Sequence, residues 1–245
     1  FEGYGMTEDT AGATLNAPGA MKIGSVGKAF PGTEMTIGEG GEILLRGDHV
    51  MKGYYNNPEA TAETIDSDGW LHTGDVGKID DDGYLFITGR MKEIYVSSAG
   101  KNIAPLVIEE TMKSIPIVSQ CFLVGDGRKY CSALFTLDAG AIIRDKFGKD
   151  PNHIPKDPAE QVEMLEELGS SIEEFTSSDE VRAEIQAAVD ELNGQFSNPE
   201  QLKKFAILPR DLSVDHGELT PTLKIRRKQI RENWAAEIEE MYADA

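Results

Sequence analysis

Gly89-Arg90-Met91-Lys92-Glu93-Ile94 is where the grammar of this chain changes, and the fold is read outward from it. Toward the N-terminus, up to about Thr88, short apolar runs are broken by glycine-rich turns. Glu42-Ile-Leu-Leu-Arg46 reads as a strand, and Lys78-Ile79 with Tyr84-Leu-Phe-Ile-Thr88 as a hairpin around Asp81-Asp82-Gly83. Between them Asn57-Pro58-Glu59-Ala60-Thr61 opens a short helix, with Asn57 as its cap. Toward the C-terminus, a strand-like Glu93-Ile-Tyr-Val96 enters a loop of turn-forming residues, Ser97 to Asn102. Pro105 then starts a helix through Glu109, Glu110 and Met112, and Val118 to Val124 with Tyr130 to Leu137 read as an antiparallel pair.

Residues 157–191 hold twelve acids against one base. Apolar spacing at Val162, Leu165, Leu168 and Ile172, then at Val181, Ile185, Ala188 and Leu192, predicts two amphipathic helices there. Ile230, Trp234, Ile238 and Tyr242 predict one last helix, from about Ile225 to Tyr242, with a single apolar stripe. The class is therefore α+β: a β-rich module over residues 1–88, then a small α+β domain over 89–245 carrying an acidic helical insertion at about 139–200.

Composition narrows the function. With 245 residues, 40% hydrophobic and 27% charged, the chain can bury a real core and is not of disordered type. Its 43 acids against 24 bases, a net charge of −19, argue against nucleic acid as a partner, since neutralising a phosphate backbone needs a basic face. Small phosphorylated ligands need only a local site. No apolar run reaches the about 18 residues of a membrane span and no signal segment opens the chain, so a cytoplasmic protein is expected. Cys121 and Cys131 suit a reducing compartment; they flank Gly125-Asp126-Gly127 and could face each other across the hairpin, as a disulfide or, more commonly in such chains, as buried free thiols. The start at Phe1-Glu2-Gly3-Tyr4, without an initiator methionine, reads as a piece of something longer.

Four segments carry chemistry. Tyr4-Gly5-Met6-Thr7-Glu8 offers a flat ring, a permissive glycine, a hydroxyl and a carboxylate. Trp70-Leu71-His72-Thr73-Gly74-Asp75 ends on an acid able to accept two hydrogen bonds from a vicinal diol, whereas His72 is read as structural because no nucleophile pattern accompanies it. In Gly89 to Ile94, Arg90 and Lys92 sit at the seam, placed to bind an anion, to form a hinge, or only to make surface ion pairs. Gly217-Glu218-Leu219-Thr220-Pro221-Thr222-Leu223-Lys224-Ile225-Arg226-Arg227 delivers Lys224 from a turn, and five bases with no acid lie between Thr222 and Arg231. The bland alternative for Arg227, Lys228 and Arg231 is pairing with the acidic helices.

Taken in order, these segments resemble the adenylate-forming superfamily of acyl-CoA synthetases, adenylation domains and luciferases. Gly24-Ser25-Val26-Gly27-Lys28, Pro31-Gly32 and Gly53-Tyr54-Tyr55 extend the likeness from Tyr4 to about Arg227. Gly41 to Gly47, Gly100-Lys101-Asn102-Ile103-Ala104-Pro105, the acidic insertion, Lys204 to Leu208 and Gly217 to Thr222 make it most similar to long-chain fatty acyl-CoA synthetases, including the bubblegum-like branch.

That resemblance implies ATP-dependent activation of a long-chain fatty acid to acyl-AMP, then transfer to the CoA thiol. It implies Tyr4 and Gly5 at the adenine, Thr7 at the α-phosphate, Glu8 on Mg²⁺, Asp75 and Arg90 on the ribose, Lys224 between carboxylate and phosphate, Lys92 as the hinge and Gly100 beside the CoA tunnel. Residues 1–88 would end the large AMP-binding domain and 89–245 would be its mobile lid. The resemblance also allows peripheral membrane attachment, which is common in such enzymes. Two local departures are a hinge-to-glycine loop one residue longer than in short-chain members, and Leu223 where many members have glycine. The family's Ser/Thr/Gly-rich loop ending Pro-Lys-Gly is nowhere in these residues, so it is expected upstream with most of the acyl pocket, and the chain alone is expected to be inactive. Two other readings are an adenylation domain that loads a carrier protein and a non-catalytic module whose acidic helices recruit a partner.

Overall fold

Short apolar runs punctuated by turns build the first of two units. The computed structural model describes residues 1–97 and 100–243, and the chain divides into Phe1–Ile94 and Tyr95–Ala245. In the first unit β1 (Gly3–Tyr4), β2 (Thr14–Leu15) and β3 (Lys28–Ala29) form a small antiparallel sheet. β4 (Glu34–Ile37), β5 (Glu42–Arg46), β6 (Leu71–Ile79) and β7 (Leu85–Arg90) form a four-stranded antiparallel meander, with α1 (Pro58–Thr64) between β5 and β6. Period-2 alternation puts Ile43 and Leu45 of β5 inside with Leu71 and Leu85, around a fully buried Ala13. The cap of α1 is as expected: Asn57 Oδ1 accepts the Ala60 N–H at 3.1 Å, and Pro58 occupies the first turn, where no N–H is needed.

The second unit opens with the ribbon β8 (Tyr95–Val96) and β9 (Asn102–Ile103); Ser98 and Ala99 of the loop between them lie outside the described residues. The Glu93-to-Val96 strand is shorter than expected, because Met91–Glu93 forms a 3-10 turn. α2 (Pro105–Met112) leads to β10 (Val118–Val124) and β11 (Cys131–Leu137), paired antiparallel. A crossover through α3 (Ala139–Phe147), α4 (Pro158–Glu167), α5 (Ile172–Thr176) and α6 (Asp179–Asn193) returns as β12 (Leu202–Ile207), parallel to β11. Alternation then splits the core in two. Cys121, Leu123, Ala133, Phe135 and Phe205 face one cluster with α2, α3 and the insertion helices, whereas Phe122, Val124 and Leu134 face a second with α7 (Arg227–Asn233) and α8 (Ala235–Tyr242).

Four expectations need correction. The insertion has a third helix over its acidic stretch, because Gly169, at φ +81°, closes α4 after Leu168 and leaves Ile172 to start α5. The last helix is two, broken at Trp234, whose indole N–H and the neighbouring Asn233 amide both reach the Glu218 carboxylate. The apolar stripe holds nevertheless: Ile230, Trp234, Ile238 and Tyr242 are all buried. Cys121 stands opposite Phe135 while Cys131 lies at the other end of its strand beside Ser132, the partner of Val124, so the two do not face each other across the hairpin; that both are buried free thiols agrees with the commoner of the two alternatives. Among the described residues the basic C-terminal side chains are found with partners other than the acidic helices: Arg227 binds Glu109 of α2, Lys228 lies 3.8 Å from Glu232 of its own helix, and Arg231 sits over the Tyr95 ring.

Candidate active site

Strand register assembles the first group of candidate residues. In the β6–β7 pair Asp75 stands directly opposite Arg90, and the Arg90 Nε lies 3.0 Å from Asp75 Oδ1. The other carboxylate oxygen accepts the Tyr4 hydroxyl at 2.7 Å. Asp75 is buried and Arg90 exposed, so the carboxylate is held from below while its cationic partner stays in solvent. Tyr4 is half-buried against the core of the first unit. Burial raises its phenol pKa well above the ordinary value, with Asp75 adding to the rise and Thr73 opposing it, so the hydroxyl remains a donor throughout the neutral range. A carboxylate has about four acceptor positions, which leaves Asp75 able to receive two hydroxyls of a diol beside, or in exchange for, these partners.

Gly5 follows, and its lack of a side chain is required here. A Cβ at this position would lie 2.3 Å from the Ala11 carbonyl oxygen, so the backbone at Ala11 and Gly12, just after the 3-10 turn Thr7–Asp9, closes against it. Thr7 is exposed on that turn and Glu8 half-exposed. Glu8 Oε1 accepts the Tyr54 hydroxyl at 2.7 Å, while its backbone carbonyl accepts the Met51 N–H at 2.8 Å. That bond to Glu8 is the main cause raising the Tyr54 pKa. Among the described residues no group of three or more metal-binding side chains occurs. Mg²⁺ needs only one or two carboxylates when phosphates and waters complete its shell, so Glu8 fits a phosphate-shared ion and not an all-protein site.

Lys92 is exposed in the 3-10 turn Met91–Glu93, just before the division between the units. His72, read as structural from the sequence, lies between two carboxylates: Nδ1 is 2.8 Å from Glu42 and Nε2 3.7 Å from Asp66. Gly100 and Lys224 belong to the second unit. Gly100 has φ +76° with its N–H on the Ser97 carbonyl at 2.8 Å, and a Cβ there would meet nothing within 4 Å, so the requirement is conformational and not one of space.

Lys224 is exposed on a short hairpin. Leu219 bridges Ile225, Thr220 N–H donates to the Lys224 carbonyl at 2.8 Å, and Lys224 N–H donates to Thr220 Oγ1 at 3.0 Å. Leu223 occupies the left-handed region at φ +60° and is 70% exposed, which explains physically why glycine is at home before this lysine. Sequence reasoning quoted Glu218 only as part of a phrase and missed its position. It is fully buried and bound by Arg210, whose own residue was not singled out. Tyr54 and Thr73, which support Glu8 and Asp75, were likewise quoted only within phrases, Gly53-Tyr54-Tyr55 and Trp70 to Asp75, without their supporting contacts.

Comparison with known proteins shows what the chain is similar to. The model described as AMP-binding enzyme matches residues 1–55, and that described as AMP-binding enzyme C-terminal domain matches 92–152 and 158–245. A long-chain-fatty-acid–CoA ligase of Mycobacterium tuberculosis, FadD15, is 40% identical over 242 residues, 99% of this chain and 38% of that ligase. The Gallus gallus ligase ACSBG2 is 40% identical over 257 residues, 100% of this chain and 33% of its own. The chain thus spans little more than a third of the curated relatives' length. Among solved structures, an adenylation domain of a carboxylate reductase from Mycobacterium chelonae superposes with a TM-score of 0.68 at 23% identity, over 98% of this chain and 34% of that one. The Bacillus subtilis O-succinylbenzoate CoA synthetase with ATP and magnesium gives 0.63 at 24% identity, over 94% and 41%. At that identity the likeness speaks for the fold.

Proposed function

Because the chain belongs to the AMP-binding enzyme family, we propose that it is the C-terminal part of an AMP-forming long-chain fatty acid–CoA ligase. In this reading residues 1–88 close the nucleotide pocket of the large domain and 89–245 form the mobile lid. The observation that carries it is Lys224: an exposed ammonium presented by a hydrogen-bonded hairpin, without an ion pair among the described residues, in a chain of net charge −19.

The fatty carboxylate attacks the α-phosphorus of ATP, the bond to the bridging oxygen breaks, and pyrophosphate leaves. Negative charge builds on the α-phosphate oxygens and Lys224 stabilises it as a point charge. Asp75, steadied by Tyr4 and Arg90, receives the ribose hydroxyls, and Arg90 itself lies within reach of the same diol. The Tyr4 ring, with Gly5 allowing close approach, is the adenine surface; Thr7 donates to the α-phosphate. Mg²⁺ held through Glu8 would offset charge on the leaving phosphates. In the second half-reaction the CoA thiol attacks the acyl carbonyl and AMP departs, with the lid turned about Lys92 and Gly100 beside the pantetheine path.

Among the described residues no helix is long and apolar enough to cross a membrane; we place the reaction in the cytoplasm, with peripheral attachment to a membrane decided by the rest of the protein. The test is to express the chain within a protein of its relatives' length and supply ATP, Mg²⁺, a long-chain fatty acid and CoA. Acyl-CoA, AMP and pyrophosphate should appear in equal amounts. Release of ADP, or no acyl product, would overturn the reading.

A further inference from the structure

The hairpin that carries Lys224 is anchored by buried side chains at its base: Leu219 in the second core cluster, with Ile225 packed against that cluster, and the charged Glu218 just before it. Glu218 is fully buried, and its carboxylate accepts five hydrogen bonds. On Oε2 these come from Arg210 Nη1 at 2.7 Å and the Ser213 N–H at 3.1 Å. On Oε1 they come from Arg210 Nη2 at 2.8 Å, Asn233 Nδ2 at 3.0 Å and Trp234 Nε1 at 2.9 Å. Two of the donor residues precede the hairpin in sequence and two follow it. The backbone of Glu218 joins the same clamp: its N–H donates to the Ser213 carbonyl at 3.0 Å, and its carbonyl accepts the Arg226 N–H at 2.8 Å, across the hairpin from it. Arg210 in turn lies over the Trp234 ring, 4.8 Å from its centroid.

We propose that Glu218 is the positioning residue for Lys224, fixing the Leu219–Ile225 hairpin so that the ammonium is presented in one place when acyl-AMP forms. This rests on the catalytic reading of Lys224 given above. The carboxylate touches no reacting atom; it acts by tying the entry of the hairpin to Arg210 and Ser213 before it and to Asn233 and Trp234 at the break of the C-terminal helices. A network with every acceptor position filled is stiff, and replacing the charge with an amide leaves Arg210 half-buried without its counter-ion. The acid's pKa is consistent with that role: burial works against the charge, yet Arg210, Asn233 and the Ser213 N–H overcome it and hold the value at about 2.

Two variants and two readouts test this. Glu218→Gln breaks the clamp at its centre; Asn233→Ala removes one donor, keeps the Arg210 pair and is the milder change. In the 245-residue chain, amide hydrogen exchange over residues 217–226 should quicken about 10-fold or more in Glu218→Gln and less in Asn233→Ala, with β10 and β11 unchanged. In the protein of full length, kcat for acyl-AMP formation should fall about 10-fold or more in the same order, with KM for ATP kept and thioester formation from supplied acyl-AMP spared. Unchanged exchange in both variants overturns the clamp. Faster exchange with equal loss, or no loss, in the two half-reactions overturns the positioning role. If the unsubstituted protein makes no acyl-AMP, the ligase reading fails by itself and exchange alone decides whether Glu218 holds the hairpin.

Discussion

Replacing Arg227 with methionine is expected to cost the second unit about 3–5 kcal/mol, the range for stranding one partner of a buried ion pair. The Arg227 and Glu109 side chains are 16% and 4% exposed. Their contact is bidentate, 2.8 Å from Nη1 to Oε1 and 2.6 Å from Nη2 to Oε2, and the third donor to that carboxylate is the Leu123 N–H at 2.8 Å. Methionine keeps the packing of the stem over Phe122 and removes only the charge and its donors. For a unit of this size each kcal/mol moves Tm by about 2–4 °C, so a loss of about 4 kcal/mol lowers it by roughly 8–16 °C. Adding Glu109→Gln removes the stranded charge yet keeps an acceptor for Leu123, and should recover most of that loss. The assay is thermal and urea unfolding followed by Trp234 fluorescence in a Trp70→Phe background. A single variant within about 1 kcal/mol of the parent, or a double variant no better than the single, would refute the view that this pair ties α7 to α2 and β10.

Four further outcomes are expected. Leu223→Gly should be neutral to about 1 kcal/mol stabilising, because relief of the left-handed strain exceeds glycine's added chain entropy, whereas Leu223→Val should lose about 1 kcal/mol or more; chemical denaturation reads both. Glu218 is lowered from 4.5 to about 2 in the fold, so its contribution is full above pH 4.5 and disappears as pH falls through 2; Glu218→Gln should flatten the acid limb of an unfolding-versus-pH curve over that window. Burial raises the Cys121 thiol well above its ordinary value and Cys131 to about 11, so neither should react with a thiol reagent at pH 8 before unfolding, and non-reducing mass spectrometry should find both reduced. The 245-residue chain alone, having no Ser/Thr/Gly-rich phosphate loop ending Pro-Lys-Gly, should yield no acyl-AMP from ATP and fatty acid; acyl-AMP production at an ordinary rate would contradict this.

Local rules made much of the fold legible. The hairpin of β6 and β7, the Asn57-capped α1, the Pro105-led α2 and the β10–β11 pair each announce themselves through alternation, proline or a turn. What escaped was decided by distant partners. β12 carries Lys203 and Lys204 between Leu202 and Phe205, and its parallel seat beside β11 requires a crossover of more than 60 residues that no local signal describes. The break at Trp234 is equally silent in the sequence, since the apolar spacing runs unbroken through it; there the Asn233 and Trp234 side chains reach the buried Glu218, and Asn233 also donates to the His216 carbonyl. The candidate site divides likewise. Asp75 and Arg90 could be named from their motifs, but that they face each other is a matter of register, and that Tyr4 completes the group depends on a second sheet.

The most direct measurement is isotope exchange between pyrophosphate and ATP, dependent on a long-chain fatty acid, in the full-length protein and its Lys224→Ala variant. The account predicts that the substitution abolishes exchange while thioester formation from supplied acyl-AMP and CoA continues. Exchange that survives the loss of Lys224, or both half-reactions lost together, would contradict it.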